Sequence, residues 1–232
     1  MYRTPKEIRS AWGDCRRCGL RAGAKNMVFG EGNSNADIMI IGEAPGEWED
    51  STEVPFIGES GDVLTLFLHN TKLLREAFTD RELDALQAGT LQGVTIREKR
   101  NNIYMTNLVQ CRPPDNRNPS DIEVKACWPR LAAQIYSVDP MLIIALGGVA
   151  ARFLMDRDVT ITTERGSVLD ITFPGLTGNY QIPVMLCLHP AYLMRNADRR
   201  PGGIWEKMHN DLEMAKTIVE TAKAAYRGDN VH

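Results

Sequence analysis

The sequence predicts an α/β fold: a three-layer α/β/α sandwich around a central, mostly parallel four-stranded sheet. Four apolar segments are nearly continuous rather than alternating, which indicates strands covered on both faces. Helical patterns lie between these segments, and strands that alternate with helices favour βαβ units. The chain has 232 residues, of which 43% are hydrophobic, enough for one sizeable core. We therefore expect a single domain over residues 1–232.

Each predicted element has its own signal in the sequence. The apolar segments place strands at 37–42, 102–109, 141–147 and 182–188. An apolar stripe predicts a helix over 61–74, and capping boxes that begin at Thr79 and Ser120 open two more. A short helix follows at 148–155, and apolar residues at 3.6-residue spacing predict a long one at 203–226. Ligands of such sheets bind beyond the carboxyl ends of the strands, so functional residues are expected there.

Charge and hydropathy argue against several classes of protein. The net charge is −3, from 27 basic and 30 acidic residues, which disfavours a non-specific polyanion binder but allows a local basic surface. No apolar run approaches the roughly 20 residues that a membrane-spanning helix needs. The charged N-terminus lacks a signal-peptide pattern. We expect a cytoplasmic protein that does not bind a membrane.

Five cysteines stand out in a chain expected in the cytoplasm, where structural disulfides are rare. Cys15 and Cys18 form a C-x2-C pair, and Cys111 and Cys127 lie in later segments. Four such thiols predict a metal site, and their spacing alone allows either zinc or an iron–sulfur cluster. Cys187 lies inside an apolar strand and is expected in the core.

Functional candidates lie at the predicted strand ends and before one helix. Glu43 follows the first strand and is either a solvated loop residue or a general base. Asn107 near the end of the second strand is either a turn residue or a reader of a base edge, because a carboxamide offers a donor and an acceptor in one plane. His189 is either a satisfied core residue or a donor to developing negative charge. Phe56, just before a helix, is either a core residue or a stacking platform.

Seven blocks of sequence occur in an order that resembles one family. They are the C-x2-C pair, GEAPGEWED from residue 42, PFIGESG from residue 55, TNLVQCRPPDNRNP from residue 106, the cysteine at 127, LGGVA from residue 146 and HPAYLMR from residue 189. Together they resemble the iron–sulfur, or family four, uracil-DNA glycosylases. The resemblance implies hydrolysis of the N-glycosidic bond of uracil in DNA, which leaves an abasic site in base excision repair. It implies uracil-containing DNA, single- or double-stranded, as the partner, and a bacterial, archaeal or phage source.

The resemblance also implies roles for the residues that match the family motifs. Glu43 would activate or orient the attacking water, and His189 would stabilise the leaving uracil anion together with Asn107. Around the base, the backbone of Ala44 would contact it, Phe56 would stack on it, and Glu49 would exclude the methyl group of thymine. Leu193 would fill the gap in the base stack, with Arg195 near a phosphate. Cys15, Cys18, Cys111 and Cys127 would hold a 4Fe–4S cluster, with zinc as the alternative.

The chain also departs from the family pattern. An insertion at about residues 71–101 could be a lid, a DNA contact or a site for a replication or repair partner, and a second extra stretch lies at about 170–180. No lysine stands in a catalytic block, so we expect a monofunctional enzyme without a Schiff-base step, and a monomer. Two alternatives stay open: a glycosylase for another deaminated or 5-modified base, and a non-catalytic DNA-binding or replication-accessory domain.

Overall fold

The computed structural model describes residues 4–174, 179–196 and 198–228. The strands in this part of the chain are β1 (Glu31–Gly32), β2 (Ile38–Gly42), β3 (Tyr104–Asn107), β4 (Leu142–Leu146), β5 (Val168–Pro174) and β6 (Asn179–Cys187). The α-helices are α1 (Pro5–Trp12), α2 (Leu20–Gly23), α3 (Glu47–Thr52), α4 (Glu59–Asn70), α5 (Asp80–Gln87), α6 (Gly93–Lys99), α7 (Asp121–Val138), α8 (Gly147–Met155), α9 (Ile161–Glu164), α10 (Pro190–Arg195) and α11 (Ile204–Gly228). A 3₁₀ turn covers Pro114–Asn116.

The sheet has the predicted parallel centre and two further strands. The four parallel strands lie in the order β3-β2-β4-β6 and correspond to the four predicted ones. At the edges, β1 pairs antiparallel with β3, and β5 pairs antiparallel with β6. The sheet therefore has six described strands instead of four. The stretch predicted as extra at about 170–180 contributes to β5 and β6, apart from residues 175–178, which lie outside the described residues.

Two apolar layers on opposite faces of the sheet give the predicted three-layer sandwich. Ile38 and Ile40 of β2 join a core that includes residues of α4, α5, α6 and α11. Met39 and Ile41 point the other way and join a core with residues of α2, α7 and α8. The alternation arises because successive side chains of a strand face opposite sides of the sheet. All five residues of β2 are buried, and so are all five of β4.

The stretch predicted as an insertion, at about 71–101, forms α5 and α6 and packs into the first of these cores. Leu86 of α5 and Ile96 of α6 are each 1% exposed and belong to the same core cluster as α4. The predicted capping box opens α5, because the Thr79 hydroxyl accepts from Glu82 N–H and the Glu82 carboxylate accepts from Thr79 N–H at 2.7 Å. This stretch is thus part of one helical layer of the fold.

No helix within the described residues combines the length and the apolar character that crossing a bilayer requires.

Candidate active site

A cleft of about 980 Å³ opens at the carboxyl ends of the four parallel strands. Glu43 directly follows β2, Asn107 ends β3, Gly147 follows β4 and His189 lies just beyond β6. The predicted residues that line this cleft are Glu43, Ala44, Glu49, Phe56, Asn107, His189 and Arg195. The structure thus brings together seven residues that lie up to about 150 positions apart in the sequence, as the rule for parallel sheets predicts.

Phe56 and Asn107 meet above Gly42, the last residue of β2. A β-carbon on Gly42 would lie 2.6 Å from the Asn107 Oδ1 and 2.8 Å from the Phe56 Cζ. Both side chains line the cleft yet are less than 10% exposed, so a ligand would reach only a ring and a carboxamide edge. This pair can contact the face and the edge of one planar group at the same time.

His189 has a fixed orientation and a fixed tautomer. Its Nδ1 accepts the backbone N–H of Ala191 at 3.1 Å, so the neutral ring carries its proton on Nε2. Burial, and to a smaller extent the charge of Arg195, lowers the pKa of His189 to about 4. Gly147 makes room for it with a left-handed backbone (φ +88°), since a β-carbon there would lie 3.1 Å from the Cβ of His189. The site therefore holds a neutral imidazole with an N–H to donate.

Two carboxylates line the same cleft under different constraints. Burial raises the pKa of Glu43, which brings it closer to the range in which a carboxylate accepts a proton effectively. Burial also raises the pKa of Glu49, against the opposing effect of backbone N–H contacts and of Arg100. The Oε2 of Glu49 accepts the N–H of Gly46 at 3.1 Å. Glu49, in the first turn of α3, is therefore tethered to the N-cap residue of its own helix.

Among the described residues, three arginines line the cleft. Arg195 was predicted, whereas Arg117 and Arg152 were not. Arg117 is held by Glu123 through contacts of 2.9 and 2.7 Å, and Arg152 pairs with Asp121 at 3.0 Å. Arg117 stands in the block that begins at residue 106, and that position could have marked it. Positive side chains therefore line part of the cleft, and two of them are paired with acidic residues of α7.

Leu193 is not placed as predicted. Its side chain is fully buried, at 0% exposure, in the core layer that also contains Leu188 and Met208. A residue that fills a gap in a base stack has to project from the surface. In this structure Leu193 is therefore a core residue, and the most exposed apolar side chain of α10 is Met194, at 36%.

The four predicted cysteine ligands line one small cavity beside the segment that follows β3. Its lining includes Cys15, Cys18, Cys111 and Cys127, whereas Cys187 is buried in the core as predicted. Among the described residues, no three histidine, cysteine or acidic side chains are grouped closely enough to bind a single metal ion together. Burial raises the pKa of the Cys111 thiol to about 12. A bound cation would be needed to hold this sulfur as a thiolate.

Arg130 of α7 joins the cysteine cavity to the strand that carries Asn107. It is fully buried, and its Nη2 donates to the carbonyls of Asn107 and Leu108 at 2.9 Å each. The same nitrogen lies 3.4 Å from the Cys127 Sγ. This guanidinium supplies positive charge beside one candidate metal ligand and fixes the backbone of the candidate base reader.

The chain is similar to known proteins over most of its length. Residues 29–213 match the uracil DNA glycosylase superfamily. The chain is 37% identical over 207 residues to a type-4 uracil-DNA glycosylase of Thermotoga maritima, which covers 89% of this chain and 90% of that protein. It is also 37% identical over 182 residues to a type-4 uracil-DNA glycosylase of Saccharolobus solfataricus, 78% of this chain and 73% of that one. A weaker match is to a DNA polymerase of Bacillus phage SP01. It has 26% identity over 142 residues, which cover 61% of this chain and 13% of that protein.

The superfamily match covers the blocks that form the cleft together with Cys111 and Cys127, and it agrees with the fold. The chain belongs to the type-4 uracil-DNA glycosylases of the uracil DNA glycosylase superfamily.

Proposed function

We propose that the protein is a monofunctional uracil-DNA glycosylase that hydrolyses the N-glycosidic bond of uracil in DNA. The observation that carries the proposal is the meeting of Phe56 and Asn107 above Gly42 in the cleft that also contains Glu43 and His189. A ring and a carboxamide that both lie against Gly42 would hold the face and the polar edge of an extruded base. The relatives in Thermotoga maritima and Saccharolobus solfataricus are named for this activity.

In the proposed reaction the bond between C1′ and N1 breaks, and uracil leaves as an anion. The Nε2–H of the neutral His189 donates a hydrogen bond to the O2 of uracil, where negative charge develops. A water molecule attacks C1′ of the resulting cation and gives a proton to the carboxylate of Glu43. Glu49, held by Gly46, would stand against C5 of the base and exclude a methyl group. The carboxylates also favour the positive sugar.

DNA would be held by the arginines around the cleft and by α10. Arg117, Arg152 and Arg195 would contact phosphates, and α10 would present Met194 as well as Arg195 to the strand. Extrusion of a base costs a few kcal/mol, which such contacts can offset.

We further propose that residues 1–232 act as one domain and as a cytoplasmic monomer. A replication or repair partner would bind around Val94 of α6, which is 61% exposed.

We propose that the four cysteines hold a 4Fe–4S cluster with a structural role. Support comes from four sulfur donors around one cavity and from the Arg130 guanidinium beside Cys127. Thiolates are soft ligands that suit iron–sulfur clusters and also zinc. When bound, the cluster would tie the segment of Cys15 and Cys18 to β3 and α7.

Metal content of the purified protein tests this assignment. We expect broad visible absorbance and iron with acid-labile sulfide in the native protein, and their loss in Cys18→Ser. Cys187→Ala is the matched control, because that cysteine is buried in the core away from the cavity, and it should retain the colour. A colourless protein that contains zinc would overturn the cluster assignment and leave the four-cysteine site standing.

Excision from end-labelled oligonucleotides tests the proposed activity. Each would carry one uracil, single-stranded or opposite G or A, and abasic sites would be cleaved with alkali. We expect wild-type excision and a loss of about 5–150-fold in Asn107→Ala, the range for one two-point contact to a base. If wild-type protein with its metal leaves uracil intact, the same assay with deaminated purines and 5-modified pyrimidines would test the alternative that the enzyme removes one of these bases instead of uracil. Inactivity on all of them would favour a binding domain.

A further inference from the structure

The turn that carries the candidate stacking ring has a strained backbone. Phe56 has φ +52°, in the left-handed region that bulky residues avoid. Its carbonyl oxygen also packs closely against Gly61 of α4, and a β-carbon on that glycine would stand 2.0 Å from the Phe56 oxygen. Such a conformation persists only where surrounding groups fix it. The groups that fix this turn therefore set the position of the ring in the cleft.

One buried side chain binds two carbonyl groups of the turn. Arg100 is 4% exposed, and its Nη1 donates to the carbonyl of Phe56 at 2.7 Å and to that of Pro55 at 3.3 Å. Its Nη2 donates to the carbonyl of Gly61 at 2.9 Å, and its Nε donates to the Thr65 Oγ1 at 2.9 Å. The planar guanidinium thus joins the strained turn to the first two turns of α4.

Arg100 belongs to the insertion, and a second residue of the insertion contacts the same turn. It directly follows α6, and at the other end of α6 a β-carbon on Gly93 would lie 2.5 Å from the Ile57 Cδ1. Burial lowers the pKa of Arg100 to about 10, against the opposing charge of Asp62. The guanidinium is therefore charged near neutral pH. The insertion meets the turn at both ends of one helix.

We propose that Arg100 is a positioning residue for base recognition, through which the insertion at 71–101 holds the backbone of Phe56 and sets the ring that stacks on uracil. The inference rests on the proposed function. It gives the insertion a role beneath the base pocket instead of a role as a lid. Arg100 does not line the cleft, so it acts through Phe56 and not on the substrate.

A double-mutant cycle between Arg100 and Phe56 tests the proposal. Arg100→Met, Phe56→Ala and the double variant would be compared by kcat/KM on a uracil oligonucleotide and by inhibition with free uracil. We expect Arg100→Met to lower kcat/KM by about tenfold to a hundredfold, as misplacement of a contact group does. The double variant should be no slower than Phe56→Ala alone, because residues that act through one another are not additive. Binding to an oligonucleotide with an abasic-site analogue should change little.

Two further variants separate positioning from a loss of stability. Thr65→Val keeps Arg100 but removes one of its anchors, and its effect should also vanish in the Phe56→Ala background. Arg165→Met removes another largely buried arginine, paired with Asp211 outside the cleft, and should lower the melting temperature without weakening inhibition by uracil. Losses that multiply in the double variant, or an equal loss in Arg165→Met, would overturn the proposal. An inactive wild type would instead overturn the proposed function.

Discussion

Glu43→Gln is expected to lower kcat on uracil-containing DNA by about 10²–10⁴-fold, the range for loss of a general base. Glutamine has nearly the same shape as glutamate but cannot accept a proton from the attacking water. The substitution should leave the affinity for an abasic-site oligonucleotide almost unchanged, because Glu43 contributes to the reaction step. Single-turnover excision with enzyme in excess would measure the effect on the chemical step directly.

The pH profile gives a second measure of the same residue. Burial raises the pKa of Glu43 above its ordinary value of 4.5, and the ionised form is the one that accepts a proton. Wild-type activity should therefore rise with pH through a midpoint above 4.5, and Glu43→Gln should lack that rise. Glu47→Gln is the matched control, since Glu47 is an exposed residue of α3 that pairs with Arg112 and does not line the cleft. A Glu43→Gln enzyme with wild-type kcat would remove Glu43 from the mechanism.

His189→Ala is expected to lower kcat by about 10²–10³-fold, which corresponds to roughly 2.7–4 kcal/mol for one preorganised donor. The donor is the Nε2–H, because Nδ1 already accepts from Ala191. Since the pKa of His189 is lowered to about 4, the ring is neutral at neutral pH. Its contribution should therefore stay constant as pH rises from neutral values. Protonation of Nδ1, which would break the contact with Ala191, requires a pH near or below about 4.

The controls for this variant address folding and the tautomer. His209→Ala, on α11 and outside the cleft lining, should excise uracil at the wild-type rate. Proton NMR of the wild-type protein should show one imidazole that stays neutral at pH 6 with its proton on Nε2. A His189→Ala variant that keeps more than about a third of wild-type kcat would contradict a donor role, given the usual size of such contacts.

The central strands could be predicted because they are buried on both faces, so nearly every residue in them is apolar. All of β2 and β4 is apolar and buried on both faces, whereas β1 has two residues and residues 168–170 of β5 are exposed. Edge strands need not be apolar, since one side of the hydrogen-bonding ladder and often one face meet solvent. The sequence therefore carried no strong signal for the two antiparallel strands.

Site residues could be predicted where their residue type and their position at the end of a strand were enough to place them in the cleft. They could not be predicted where the direction of the side chain determined whether the residue faces the cleft or the core. Glu43, Asn107 and His189 meet because parallel strands end at one edge. The prediction that Leu193 fills the gap in the base stack is wrong, because its distance from His189 along the chain does not determine which side of the short helix α10 faces the core. Arg100 carried no signal of its role, since charged residues are rarely fully buried unless partners satisfy them. Those partners lie 35–45 positions away.

Gly42 has a consequence for how this protein can lose its function. The atoms nearest to a β-carbon at position 42 are the tips of two side chains, those of Asn107 and Phe56, so an added methyl group would push against these side chains and not against the backbone of a neighbouring strand. An alanine here would then leave a folded molecule with intact cysteines and arginines, while both base contacts are displaced together. A single missense change could thus produce a protein that accumulates normally, still occupies DNA and no longer recognises the lesion. Screens that score abundance or DNA binding would pass such an allele, and only the mutation rate of the cell would reveal it.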